Sequence, residues 1–179
     1  MTGPSPATPS QEPRAPSQAA ATDGREFAMS EQENLAVVRR FFDEVLNQRK
    51  LEAADELFAA EHVAHDPSAP DIIPGPAGQK ALAATFQNVF SVTPSPDGDG
   101  VTLEDAHWTV DDMIATGDKV VTRWTGRSAQ RGARQGTAPT GAHLNVSGIW
   151  IHRLDGGRIV ESWNVWDTLG MLQQLGVAP

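Results

Sequence analysis

Residues 143–176 read HLNVSGIWIHRLDGGRIVESWNVWDTLGMLQQLG. Two runs rich in β-branched and aromatic residues, His143 to Leu154 and Arg158 to Trp166, flank Asp155-Gly156-Gly157. That pattern predicts two antiparallel strands joined by a tight hairpin turn. Thr168 to Leu175 then predicts a short helix, stopped at Gly176.

Upstream, Lys119 to Thr125 predicts another strand, separated by a Gly117-Asp118 turn from a looser strand between Val101 and Ala115. Gly126 to Gly141 reads as a long loop and Pro94 to Gly100 as a turn-rich break. Before residue 91 the period changes to that of helices. Ser30 is a suitable N-cap, with Glu31 and Glu33 in the first turn. Leu35, Val38, Phe41, Phe42, Val45 and Leu46 follow at helical spacing, with Asn47 as the stop. Leu51, Ala54, Leu57 and Phe58 make one face of a second, shorter helix. His62 to Pro67 reads as extended, 67–76 as a loop, and Gly78 to Phe90 as a third helix. Three helices, an antiparallel meander and a helical tail make an α+β fold. The helices are expected to pack in a strongly curved, mostly antiparallel sheet, a half-open cone whose mouth is a pocket.

Residues 1–29 are expected to be a disordered Pro/Ala/Ser-rich tail, or to reflect a start codon assigned too early, since Met29-Ser30 opens the helical pattern. Residues 30–177 then form one domain. The net charge of −9 argues against nucleic-acid binding. Arg123, Arg127, Arg131 and Arg134 form the one basic cluster, read as a solvated loop. With no cysteine, disulfides, thiolate metal sites and cysteine nucleophiles are excluded. No apolar run is long enough to cross a membrane and no secretory pattern opens the chain, so a cytoplasmic location is expected.

Nucleotide-binding, nucleophile-elbow and zinc-protease motifs are absent, and there is no tyrosine. Asp, Glu, His, Arg, Trp and water remain, a set suited to proton transfer. Asp167 ends the last strand and shares by parity a face with Trp163 and Val165. Two roles fit it and do not exclude each other: an acid/base with a raised pKa beside indoles, and the N-cap of the following helix. His65, next to the turn at Asp66-Pro67, could be aimed into a cavity, or be a surface residue. His62 and His65 are three apart, so in a strand they face opposite ways, and no metal site is expected. Trp124, Trp150 and Trp163 are expected to line the pocket as well as pack the core. His152 and Arg123 are added as pocket candidates of uncertain facing. Arg153 and Glu161, near register across the hairpin, predict an ion pair.

The segments Val110 to Val121, Pro139-Thr140-Gly141, Arg153 to Trp163 and Asp167 to Gly176, with His65-Asp66-Pro67 upstream, resemble the SnoaL-like polyketide cyclase family. The resemblance spans about residues 31 to 176. It implies a nuclear-transport-factor-2-like cone and cofactor-free chemistry, an intramolecular aldol condensation or a related isomerase or lyase step on an apolar carbonyl compound. It implies Asp167 as acid/base and His65 as its early histidine. One departure stands out: Gly126 to Gly132 reads GRSAQRG where many relatives carry Gly-Thr-His and an acidic residue. A noncatalytic binding domain is the first alternative. An epoxide hydrolase, needing Asp167 beside Arg123 or Arg153, is the second. A homodimer is expected, because sheets of this shape pair to cover their outer face.

Overall fold

The computed structural model describes residues 29–90, 107–129 and 141–178, together with residue 3. Apart from residue 3, the segment 1–28 lies outside the described residues, as do the turn at 94–100, residues 101–106 of the expected strand and residues 130–140 of the expected loop.

Helix α1 (Glu31–Arg40) starts at the expected cap. Ser30 Oγ accepts from Glu33 N (3.3 Å) and Glu33 Oε2 accepts from Ser30 N (2.8 Å), a reciprocal capping box. From Phe41 to Asn47 the same rod continues as a π-helix. The wider turn lets Phe41, Phe42, Val45 and Leu46 all point inward, and all four are buried. A 3₁₀ turn (Leu51–Ala53) leads to the short α2 (Ala54–Leu57). Phe58, expected to close that helix, opens β1 (Phe58–His65) instead. Helix α3 is Gly75–Phe90, three residues longer at its start than its pattern predicted.

Four more strands follow: β2 (His107–Thr116), β3 (Lys119–Ala129), β4 (His143–Asp155) and β5 (Arg158–Trp166). Strand β3 runs through Gly126–Ala129, which the sequence assigned to a loop, and carries Arg127 with it. Gly156 and Gly157 both have positive φ, 53° and 79°, as the tight hairpin requires. Helix α4 (Thr168–Gln174) closes the described chain.

The described strands form one curved, unclosed sheet in the order β1-β5-β4-β3-β2. Every pairing is antiparallel except β1 with β5, which is parallel. The concave face holds the core. Phe41 packs edge-on against Phe58 and Trp150, with ring centres 5.2 Å apart in each pair. Trp150 also meets Phe42 (5.5 Å) and Trp124 (5.6 Å). No helix among the described residues is long and apolar enough to cross a membrane.

Candidate active site

One irregularity decides which side chains of β5 enter the cone. Leu154 of β4 pairs with Ile159 and Arg153 with Glu161, so Val160 has no partner opposite it. This bulge reverses the alternation. Ile159 is buried, and beyond the bulge Ser162, Asn164 and Trp166 are the buried residues, while Val165 is 68 % exposed. Strict alternation from Ile159 would have turned Glu161, Trp163, Val165 and Asp167 inward.

The expected site residues divide accordingly. Trp124, Trp150 and His152 face the interior and are buried. Trp163 stacks on His65 on the outer face, with ring centres 5.4 Å apart. His65 Nε2 sits 2.9 Å from Glu161 Oε1 in turn. Arg153 completes that outer cluster through the expected bridge to Glu161 Oε2 (3.0 Å). Hydrogen bonds, from His65 foremost and then Arg153, hold the Glu161 carboxyl below its ordinary pKa. Arg123 is outside too, paired with Asp111 (3.1 Å). Asp111 is itself the unpaired residue of a bulge in β2, between Val110 and Asp112.

Asp167 shares the outer face with Trp163 and Val165, as parity predicted, but it is exposed rather than desolvated. Its Oδ1 accepts from Gly170 N (2.7 Å), so it caps α4. A side chain at Gly170 would collide with that carboxylate. Neither Arg123 nor Arg153 pairs with Asp167, so the relay required of an epoxide hydrolase is not assembled.

The interior holds a polar set of which the sequence reading had named only His152 as a pocket residue. Asp66, just beyond β1, is 6 % exposed. Its Oδ1 accepts from Ser68 N (2.8 Å) and Ser68 Oγ (2.6 Å), and its Oδ2 from Asn164 Nδ2 (2.8 Å). Trp166 Nε1 donates to Ser68 Oγ (2.9 Å), fixing the turn from behind. Beside this network, His62 Nε2 and Ser162 Oγ are 2.8 Å apart. His62 and His152 each lie 1 % exposed. Burial is the main cause that pushes His62 down to about 4 and His152 down to about 3, so both are neutral near pH 7.

Five buried polar atoms on this concave face have no hydrogen-bond partner among the described residues: His62 Nδ1, His152 Nδ1, Thr122 Oγ1, Trp124 Nε1 and Asn164 Oδ1. Unpartnered groups of this kind are uncommon in a folded interior and call for a ligand, water or catalytic role. A void of about 10 Å³ lies against His65, Asp66, Gln79, Trp150, Ser162 and Asn164. A second, of about 20 Å³, lies among Phe86, Trp108, Trp124 and Trp166. Each is no larger than a water site, so a bulkier ligand must displace side chains to enter. No three His, Cys, Asp or Glu side chains among the described residues converge as metal ligands.

Only Asp66 gave a sequence signal, the Asp-Pro turn. Asn164 and Ser162 gave none, because their facing depends on the bulge.

A curved sheet enclosing a carboxylate, neutral imidazoles and indole walls defines the cone class of α+β small-molecule proteins. The family model described as SnoaL-like polyketide cyclase matches residues 36–175, and the chain belongs to that family. Solved structures agree. TsrD from Streptomyces laurentii is 22% identical with a TM-score of 0.69, covering 83% of this chain and 98% of its own. IdmH, a candidate polyketide cyclase from Streptomyces antibioticus, is 29% identical with a TM-score of 0.62, covering 80% and 99%. A candidate polyketide cyclase from Acidithiobacillus ferrooxidans is 26% identical with a TM-score of 0.67, covering 84% and 100%. No curated protein matches the sequence.

Proposed function

We propose that the chain is a cofactor-free enzyme that moves protons on an apolar, polyketide-like carbonyl compound, closing a ring by intramolecular aldol condensation or carrying out a related isomerase or lyase step. The observation that carries this is the fixed Asp66 carboxylate beside unpartnered buried polar groups on a tryptophan wall. Asp66 is the acid/base in this reading, taking a proton alpha to a carbonyl. The Trp124 N–H and Thr122 O–H are the free donors available to carbonyl or enolate oxygens. Neutral His62, bonded to Ser162, can pass a proton without carrying a charge into the core. The Trp150 and Trp124 rings shield the reacting centre from water. Asp167 serves as helix cap, and the His65 ring is engaged with Glu161 and Trp163, although His65 also borders the void beside Asp66. The working form is a cytoplasmic homodimer joined through the convex face.

The test is turnover of a panel of aromatic polyketide and terpenoid carbonyl compounds by wild type, Asp66→Asn and Asp167→Ala. Asp66→Asn should bind but lose at least about 100-fold in kcat, while Asp167→Ala should keep its kcat. The opposite pattern returns the role to Asp167. Binding without turnover by wild type across the panel assigns the chain to the noncatalytic binders.

A further inference from the structure

The larger of the two interior voids described above is closed by side chains of unequal hold. About 20 Å³ of space lies among Phe86, Trp108, Trp124, Leu144, Trp166 and Met171. It adjoins the Asp66 network twice over. Trp166 Nε1 donates to Ser68 Oγ, which itself donates to Asp66. The Trp124 ring lies 5.6 Å from that of Trp150, which borders the void beside Asp66.

A ring enters this space only if one wall yields. The indoles are pinned. A Cβ would stand 2.5 Å from Trp124 Cζ2 at Gly148 and 3.3 Å from Trp124 Cζ3 at Gly126, so that indole fills the notches of two glycines. The backbone of Trp108 is held by the Asn47 amide at both N (2.8 Å) and O (2.9 Å). Trp166 is held by Ser68 (2.9 Å). Leu144 belongs to β4 and pairs with Ser128 of β3. Phe86 belongs to the 16-residue α3, which packs against β1 and α2, and it meets Trp108 and Trp166 edge-on at 6.0 and 6.1 Å.

Met171 is held differently. It is 1 % exposed, yet it projects from α4, a helix of 7 residues packed against β4. Leu172 and Leu175 lean on the core as well, but among the described residues of α4 it is Met171 that lines the void. The junction before the helix is firm, with Asp167 N donating to Ser147 O (3.0 Å). Further along, the exposed Gln174 ties α4 to β4, accepting from Asn145 N (2.8 Å) and donating to Asn145 O (3.1 Å). Solvent-exposed bonds of this kind open at low cost. An unbranched thioether with three rotatable bonds also leaves a cavity more readily than an indole does.

Building on the small-molecule reading above, we infer that α4 is a lid and Met171 its plug: a flat apolar ring binds by expelling the Met171 side chain and taking its place among Trp108, Trp124 and Trp166. The Trp124 N–H, without a partner among the described residues, favours a ring that bears a carbonyl. The helix lifts for the ring to enter and again for it to leave.

Methionine-methyl NMR tests this with 2-acetylnaphthalene, a flat neutral ketone whose binding is followed in parallel by calorimetry. The chain has four methionines, Met1, Met29, Met113 and Met171, so the spectrum is short. Packed among Phe86 and three indoles, the Met171 methyl should be ring-shifted in the free protein. At saturation it should move to the position of free methionine and be broadened by a soluble nitroxide, while Met113 stays in place. Met171→Ala should bind the ketone at least about tenfold tighter, because no fraction of the protein is then lost to a plugged state. A Met171 methyl that stays ring-shifted in saturated wild type overturns the lid and leaves the small-molecule reading standing. Binding by Met171→Ala alone shows a plug that does not yield, and overturns the lid as well. Binding by neither protein overturns the aromatic seat with the lid; the enzyme reading is decided separately, by the turnover panel above.

Discussion

Two aspartates exchange roles between sequence and structure. Asp167 lies beside tryptophans in the chain, yet caps a helix in solvent; Asp66 follows an ordinary turn pattern, yet lies buried under Asn164. Asp167→Ala should therefore cost stability, about 1 kcal/mol as for other lost caps, read from urea denaturation, without altering chemistry. A loss of turnover at unchanged stability would contradict this. The buried histidines give a second prediction. His62 and His152 have native pKa values of about 4 and about 3, below the unfolded value near 6.5. Between those limits the unfolded chain binds more protons than the folded one, so stability falls as pH drops from about 6.5 toward 3. Replacing His152 with Gln should flatten that decline in denaturation curves recorded across the range. An unchanged slope would show that His152 is not the group resisting protonation. Much of this site was illegible in the sequence for one reason: a single unpaired residue, Val160, turns the rest of β5 over, and nothing in its side chain announces it.

At the scale of elements, the reading was strongest where local chemistry dictates geometry. The Ser30 capping box, the Gly156-Gly157 hairpin and the Arg153–Glu161 bridge follow from neighbours in sequence or across one turn. It failed where tertiary packing decides. Phe58 continues an apolar helical stripe, but pairing with Ile159 of β5 draws it into a strand. Phe41, Phe42, Val45 and Leu46 fit an α-helical face, yet Phe41–Asn47 is a π-helix with all four buried. Strand β3 outlasts its β-branched run because β4 pairs it as far as Ala129. Gly148 gives the sharpest test of this packing. A Cβ there would stand 2.5 Å from Trp124 Cζ2 and 2.7 Å from Trp166 Cβ. Gly148→Ala should destabilise by about 1–3 kcal/mol, as overpacked cores do, and shift the tryptophan fluorescence. A neutral effect would mean that the indole wall yields easily.

At the scale of the molecule, the cone was legible from element order, but its outer face was not. Ile149 pairs directly with Val165, and Ile151 with Trp163, whose neighbour across β1 is His65. Val63, Ile114, Ile149 and Val165 are each at least 44 % exposed. Exposed apolar side chains on one face of a sheet are the kind of surface that the homodimer proposed above would bury. Val165→Glu should convert a dimer to a monomer in sedimentation experiments without unfolding it. A wild type already monomeric at tens of micromolar would give the band another purpose. The parallel seam between β1 and β5 has a different consequence, in time rather than space. His62–Ser162 and Asp66–Asn164 join residues 100 and 98 positions apart. Contacts this distant in the chain form late, because a large loop must close first. A polypeptide leaving the ribosome has α1 to α3, Asp66 and Ser68 long before it has Asn164, so the carboxylate gains its last partner only after β5 has emerged.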